Sequence, residues 1–444
     1  MNGSEIINMS KFLIIYFIFL SVVGVAQNDL SWKNRKSSNN YWQQEVAYSI
    51  KANINETNLT VSGGLELVYT NNSPDELKEV FFHLYQNAFQ KGAYYDNLQK
   101  NNGKKPSYGL YERNGLGTKV KKVECSNGID TVVYDNTLMK IVLEKSIKPH
   151  ESIVFKIDFK TYWGSGSSRR RMKAYYVEGR NIHFNGVHWY PRIAVYDRKF
   201  GWNTNQHLDK EFYGDFGTFD VELDFSNDYI VEATGVLTNS QEVLPEELKA
   251  KLHISNFFHR KKGGPADTLS IPVKRKLGKR KVWKYHAENV HDFAFTADPT
   301  YRLDEIEWNG IKTIAVVEER HCPQWKTAAQ FAMDVIKVYS EDFGMYEYPK
   351  MVVADAKDGM EYPMLTLNAG KDPYYKGLFA HEIAHNWFYG MIGSNETYRA
   401  FLDEGFTQFL TVWSLEKIDG IIYSPYNQKG KSKYKNKFKS GPKS

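Results

Sequence analysis

Cysteine is nearly absent from this chain: two in 444 residues, Cys125 and Cys322, far apart and in no C-x-x-C or other metal-type spacing. That excludes a small disulfide-stapled scaffold and a zinc-ribbon fold, and leaves open whether the two thiols pair. Long apolar runs are also missing. The one candidate, residues 12 to 25, is fourteen residues long, short of the roughly 20 that a membrane-spanning helix needs. No permanent membrane span is therefore expected. No segment repeats, which sets aside a solenoid or propeller. Nor is there a concentrated charge of one sign. The formal excess of +6 sits mostly in short basic runs at 169–173, 274–281 and the last twenty residues, without finger spacing or interleaved aromatics. Nucleic acid is excluded as a partner on that pattern, and the runs read as solvated loops.

What is present is globular: 42% hydrophobic and 25% charged residues over a length that predicts two or three domains. The 30 Tyr, 26 Phe and 10 Trp favour β-sheet surfaces and concave polar-aromatic clefts. At the N-terminus, Lys11 precedes the apolar run, and Gly24-Val25-Ala26 stands before polar Gln27. This is the layout of a signal peptide over 1–26, cleaved after Ala26, and it predicts export to the periplasm or the exterior. Glu5 is out of place in such a leader, so initiation at Met9 is expected.

From 41 to 237 the sequence runs in short alternating stretches broken by Asn, Gly, Asp and Ser, as at 58–69, 131–143 and 152–159. These predict antiparallel strands and a β-rich domain over 27–285, with a charged loop at 260–267. After 290 the period changes. Helical spacing appears at 325–343, 375–389 and 403–417, with strand-like stretches at 350–356 and 364–368, predicting an α/β domain over 286–420. Residues 421–444 carry seven lysines and no apolar period, the composition of an exposed tail or loop.

The chemistry concentrates in Gly377-Leu-Phe-Ala-His381-Glu382-Ile-Ala-His385. Four residues apart on a helix, two imidazoles share one face about 6 Å apart along the axis and can reach one metal. Glu382, beside the first of them, can touch water at that metal without ligating it. His-Glu-x-x-His alone arises by chance in about one per cent of chains this long, and the bland reading is a core helix with two satisfied histidines. A third donor strengthens the case: Glu404 follows His385 by nineteen residues, within Phe401-Leu-Asp-Glu-Gly-Phe406. Two imidazoles and one carboxylate leave a coordination position open, so the set His381, His385 and Glu404 reads as catalytic zinc ligands for one Zn2+, with Glu382 as general base.

With these motifs the chain resembles the gluzincin aminopeptidases of the aminopeptidase N and leukotriene hydrolase type. That family follows its zinc motif at this spacing with W-L-x-E-G-F/Y and precedes it with G-x-M-E-N. Here Asp358-Gly359-Met360-Glu361-Tyr362-Pro363 stands as a variant of the latter. Phe81-Phe-His-Leu-Tyr85, His188-Trp-Tyr-Pro-Arg192 and Glu211-Phe-Tyr-Gly-Asp-Phe216 extend the resemblance over most of the chain. The resemblance implies a multidomain α+β protein, an N-terminal antiparallel β-saddle domain followed by a thermolysin-like α/β zinc-peptidase domain. It implies an aminopeptidase acting on peptides with a free N-terminus. Glu361 would bind the substrate's α-amino group, and the backbone at Gly359 and Met360 would hold the peptide as an added strand. A second amino-group anchor is expected near 185–189. The family's transition-state tyrosine lies well beyond the glutamate ligand and would fall past Ser444, as would a C-terminal helical domain, so the catalytic domain is expected to be incomplete. The signal peptide and the Gly-Met-Glu-Tyr-Pro form resemble bacterial envelope members. Two other readings stay open: a noncatalytic zinc- or peptide-binding fragment, and a zinc endopeptidase.

Overall fold

The computed structural model describes residues 41–164, 172–177, 181–208, 211–258 and 278–420. The expected signal peptide, the loop at 260–267, the tail at 421–444 and most of the basic runs lie outside them. The described residues from Gln43 onward form one compact unit.

Alternation of apolar and polar residues builds the first sheet. In Glu45–Asn55, Val46, Tyr48, Ile50, Ala52 and Ile54 face inward while their neighbours face out, the period of a half-buried strand. Thr60–Thr70 and Ser152–Tyr162 follow the same rule and pair antiparallel, Leu67 opposite both Tyr48 and Phe155. The sheet has seven strands, in the order Val236–Leu237, Arg280–Val290, Gly217–Ser226, Glu45–Asn55, Thr60–Thr70, Ser152–Tyr162, Thr118–Cys125. It is not purely antiparallel, because Glu45–Asn55 runs parallel to Gly217–Ser226. A four-stranded sheet contains Leu77–His83 and Leu138–Ile147, and another orders Ile230–Ala233, Phe295–Asp298, Ile182–Gly186 and Ala174–Tyr176.

A mixed five-stranded sheet carries the remainder, in the order Tyr301–Trp308, Ile311–Glu318, Lys350–Asp355, Leu365–Asn368, Met360–Tyr362. The hairpin Tyr301–Trp308/Ile311–Glu318 is absent from the pattern expected from sequence. Lys350–Asp355 is parallel to both of its neighbours and buried at every position, as a strand covered on both faces should be. Helix Ala328–Phe343 makes the crossover into it and buries Phe331, Val335, Ile336 and Tyr339. Helices Lys376–Ala384 and Phe406–Asp419 complete the layer. The junction expected at 286 falls inside Arg280–Val290. Phe295–Asp298 still pairs with Ile182–Gly186, so the change of sheet lies between Asp298 and Tyr301. Cys125 and Cys322 are not joined in a disulfide. Among the described residues no helix is long and apolar enough to cross a membrane.

His83 closes Leu77–His83 with its ring stacked 5.0 Å from Tyr85. Burial, with the Arg192 charge, pushes its pKa down to about 3. A folded pKa below the unfolded one means that the unfolded chain binds the extra proton, so this histidine's contribution falls as pH drops below about 6.5. Between pH 7 and pH 5 His83 should cost the fold about 2 kcal/mol. The His83→Gln chain is therefore expected to lose about that much less stability over this interval, measured by urea unfolding. Parallel pH profiles of the two chains would contradict the assignment.

Candidate metal centre

Helix Lys376–Ala384 is short and firmly seated. Phe379, Ala380, Ile383 and Ala384 are fully buried, Phe379 stacks 4.4 Å from Tyr375, and Tyr339 donates its hydroxyl proton to Ala380 O at 2.9 Å. The helix ends one residue before His385, earlier than the spacing predicts, but His385 keeps helical dihedrals. The two histidines therefore retain the i, i+4 relation. Glu404 arrives from a π-helical turn, Phe401–Gly405, that leads into Phe406–Asp419. Such turns are rare and recur at functional sites because they re-aim single side chains.

His381 Nε2 and His385 Nε2 are 3.2 Å apart, and Glu404 Oε2 stands 3.4 Å from the first and 4.0 Å from the second. A point equidistant from all three lies about 2.1 Å from each, the usual length of a zinc bond to nitrogen or carboxylate oxygen. The donor set of two imidazoles and a carboxylate thus fits zinc in both chemistry and size. Glu361, Glu382 and His385 also converge within 4.8 Å, but all three are buried, whereas His381 and Glu404 keep one side of the first set open to substrate.

The surroundings orient the donors. The Asp403 carboxylate accepts a hydrogen bond from His385 Nδ1, which leaves Nε2 bare toward His381 and Glu404, and Thr407 Oγ1 lies 3.3 Å from the same Nδ1. This is the ring–carboxylate contact that holds metal-binding histidines in their working tautomer. Burial alone would lower the His385 pKa, but Asp403 outweighs it and the net shift is upward. Glu382 is buried, and desolvation followed by the Glu361 charge pushes its carboxyl well above the ordinary range. A divalent cation in the adjacent triangle acts in the opposite direction. Glu396, also buried, is pushed up to about 11 by burial and then by Asp403 and Glu361.

Glu361 lies on the edge strand Met360–Tyr362, which pairs with Leu365–Asn368 on one side and ends the sheet on the other. Gly359 stands where a Cβ would come within 3.0 Å of Glu382 Oε1 and 3.1 Å of Leu378 Cδ1, so any side chain there would press on that carboxylate. Lys173 pairs with Asp358 at 2.9 Å. All seven residues singled out from sequence are therefore brought to one region. Residues 185–189 are instead interior: Asn185 donates to Ala356 O at 3.0 Å and Trp189 to Phe293 O at 3.0 Å. Asp403 and Glu396 are buried beside the site and are not among the residues that the motifs point to. Asp403 had a signal, a carboxylate directly before the candidate ligand Glu404, while Glu396 had none.

No family model matches the chain, and no curated protein matches its sequence. Similarity appears between folded structures. An M1 zinc metallopeptidase from Deinococcus radiodurans superposes with a TM-score of 0.53 at 12% identity, over 90% of this chain and 75% of that one. A glutamate-to-alanine mutant of the M1 zinc metallopeptidase from the same organism, bound to a Tyr-Ser-Ala substrate, gives 0.52 at 12% identity over the same shares. A two-domain M1 zinc metallopeptidase mutant bound to L-tryptophan gives 0.53 at 12%, over 91% and 77%. The chain thus has the fold of the M1 zinc metallopeptidases, a multidomain arrangement of mixed sheets with few helices.

Removing the Asp403 carboxylate should loosen the His385 ring. Asp403→Ala is expected to weaken zinc binding by about ten- to a hundredfold in a chelator competition. Unchanged affinity would show that the contact orients nothing.

Proposed function

We propose that this protein is a zinc metallopeptidase that releases N-terminal amino acids from peptides, with His381, His385 and Glu404 as the ligands of one Zn2+. The observation that carries the reading is the triangle of two imidazole nitrogens and one carboxylate oxygen with a buried carboxylate, Glu382, beside it. When bound, zinc supplies Lewis acidity, polarising a carbonyl and making water acidic enough to attack it near neutral pH. Glu382 takes the proton of the attacking water and passes it to the departing amine, which is general acid–base work for a group held close to the reacting atoms. Asp403 keeps the His385 ring in place through both transfers.

Glu361 selects the substrate end: a carboxylate at the sheet edge matches a free α-ammonium group and not an acylated one. The outer edge of Met360–Tyr362, which ends the sheet, accepts the peptide as a further strand with the backbone of Gly359 and Met360. The structural neighbours named with a peptide and with an amino acid bound agree with this class of ligand. The finer description, a β-saddle domain before a thermolysin-like catalytic domain, belongs to the same proposal. So does export to the bacterial envelope, which rests on the leader-like residues 1–26.

The test is hydrolysis of free and N-acetylated aminoacyl-coumarins by the zinc-loaded chain. Turnover of the free series alone is expected. Efficient cleavage of the acetylated series would instead indicate an endopeptidase, and zinc binding without turnover a peptide-binding module. Glu382→Gln is expected to lower the rate at least about a hundredfold with zinc retained, and an intact rate would sink the mechanism. Glu361→Ala should raise KM for free substrates and narrow the gap between the two series, read from initial rates.

A further inference from the structure

A second convergence of ionisable groups lies where three strands meet, apart from the His381 site. His183 is on Ile182–Gly186, Asp298 closes Phe295–Asp298, and Glu318 closes Ile311–Glu318. All three are fully buried, and their donor atoms lie within 4.8 Å of one another. The first two residues belong to a sheet of the N-terminal part and the third to the five-stranded sheet.

The protonation of His183 follows from its neighbours. Its Nε2 is 2.7 Å from Asn185 Oδ1, and the Asn185 amide group donates to Ala356 O at 3.0 Å. The Asn185 oxygen therefore faces the ring and Nε2 carries the proton. In the neutral ring Nδ1 is then a bare lone pair, and it faces Asp298 Oδ2 at 3.0 Å. Asp298 is itself aimed, because its other oxygen accepts the Thr300 N–H at 2.6 Å. Glu318 adds a second carboxylate whose oxygens accept no hydrogen bond among the described residues. Its ionic neighbours are the half-exposed Arg320 and, at 4.0 Å, His321. Asp355 stands behind it, accepting from the Glu318 N–H at 3.3 Å and engaging His321 Nδ1 at 2.5 Å.

Arg320 offsets part of the Glu318 charge, but the acceptor atoms of His183 and Asp298, turned toward one another and out of water, repel unless something positive sits between them. Either a proton shared by His183 and Asp298 or a metal ion answers that need. The geometry favours the ion. An imidazole whose far N–H is pinned by an oxygen is the arrangement of metal-bound histidine. The 3.0 Å separation accommodates two donors at about a right angle round one ion at roughly 2.1 Å, the octahedral arrangement of Mn2+.

We propose that His183, Asp298 and Glu318 form a second divalent-cation site, with a donor set suited to Zn2+ or Mn2+. The ion ties the N-terminal sheet to the five-stranded sheet. Through Asn185 and Ala356 it also steadies the loop from Asp355 to Gly359, which delivers Glu361 to the edge strand. Its role is positioning, and the site does not depend on the peptidase reading.

The experiment is metal stoichiometry of the full chain, stripped with chelator, saturated with Zn2+ and read by elemental mass spectrometry. Two ions per chain are expected. One ion should remain in Asp298→Asn, lost from this site, and one in the His381→Ala/His385→Ala double variant, lost from the other. A count in Asp298→Asn equal to that of the unsubstituted chain would overturn the proposal, leaving a proton in place of the ion. A count untouched by the double variant would instead count against the zinc-peptidase reading. Should Asp298→Asn fail to fold, anomalous diffraction at the zinc edge from the unsubstituted chain decides. A peak within about 2.3 Å of His183 Nδ1 is expected, and its absence at saturating zinc would end the idea.

Discussion

Carboxylates gathered out of water are the constraint on which the rest of this structure depends. Glu361, Glu382, Glu396 and Asp403 are all buried around one pair of histidines. Burial is the first cause of the upward shifts at Glu382, Glu396 and Asp403, and the Glu361 charge adds to those of Glu382 and Glu396. Such a grouping is relieved either by protonation, as the shift of Glu396 indicates, or by positive charge. His385 supplies part through Asp403, and a cation held by His381, His385 and Glu404 would supply the remainder. Chemistry and stability are therefore the same problem here: the charge that neutralises the cluster is also the charge that would act on a substrate carbonyl.

The scaffold meets this constraint by bringing donors from separate elements to one place with little freedom. The histidines come from a helix seated on Phe379 and Ile383, Glu404 from a π-helical turn, Glu361 from a sheet edge, and Glu382 lies so close to Gly359 that a side chain there would have to displace it. The same device appears again at His183, Asp298 and Glu318, where two sheets meet. In both places an imidazole is held through one ring nitrogen while the other faces the remaining donors.

Much of this was legible from the chain. The strands near 58–69 and 152–159 and the helices near 325–343 and 403–417 follow from periodicity, because each buries one face and repeats at the period of its backbone. The residues from 131 to 143 read as one strand and form two, Ile129–Asp135 and Leu138–Ile147, reversing at Asn136, which adopts a positive φ of 50°. The hairpin from Tyr301 to Glu318 and the three-residue strand Met360–Tyr362 were not legible. A short strand gains its stability from its neighbour, and nothing local announces it.

By itself the sequence determined the donor types and their spacing: two histidines four apart, a glutamate between them and a carboxylate nineteen residues on. These are local relations, set by the helical repeat. Only tertiary structure decided that Glu404 closes a triangle of zinc size, that Asp403 and not a solvent molecule holds the His385 ring, and that Glu361 lies beside Glu382. It also joined His183, Asp298 and Glu318, which lie far apart in the chain. Distance along the chain carries no information about such contacts. They arise when sheets and helices bury their apolar faces together, and the polar groups carried along must find partners where they land.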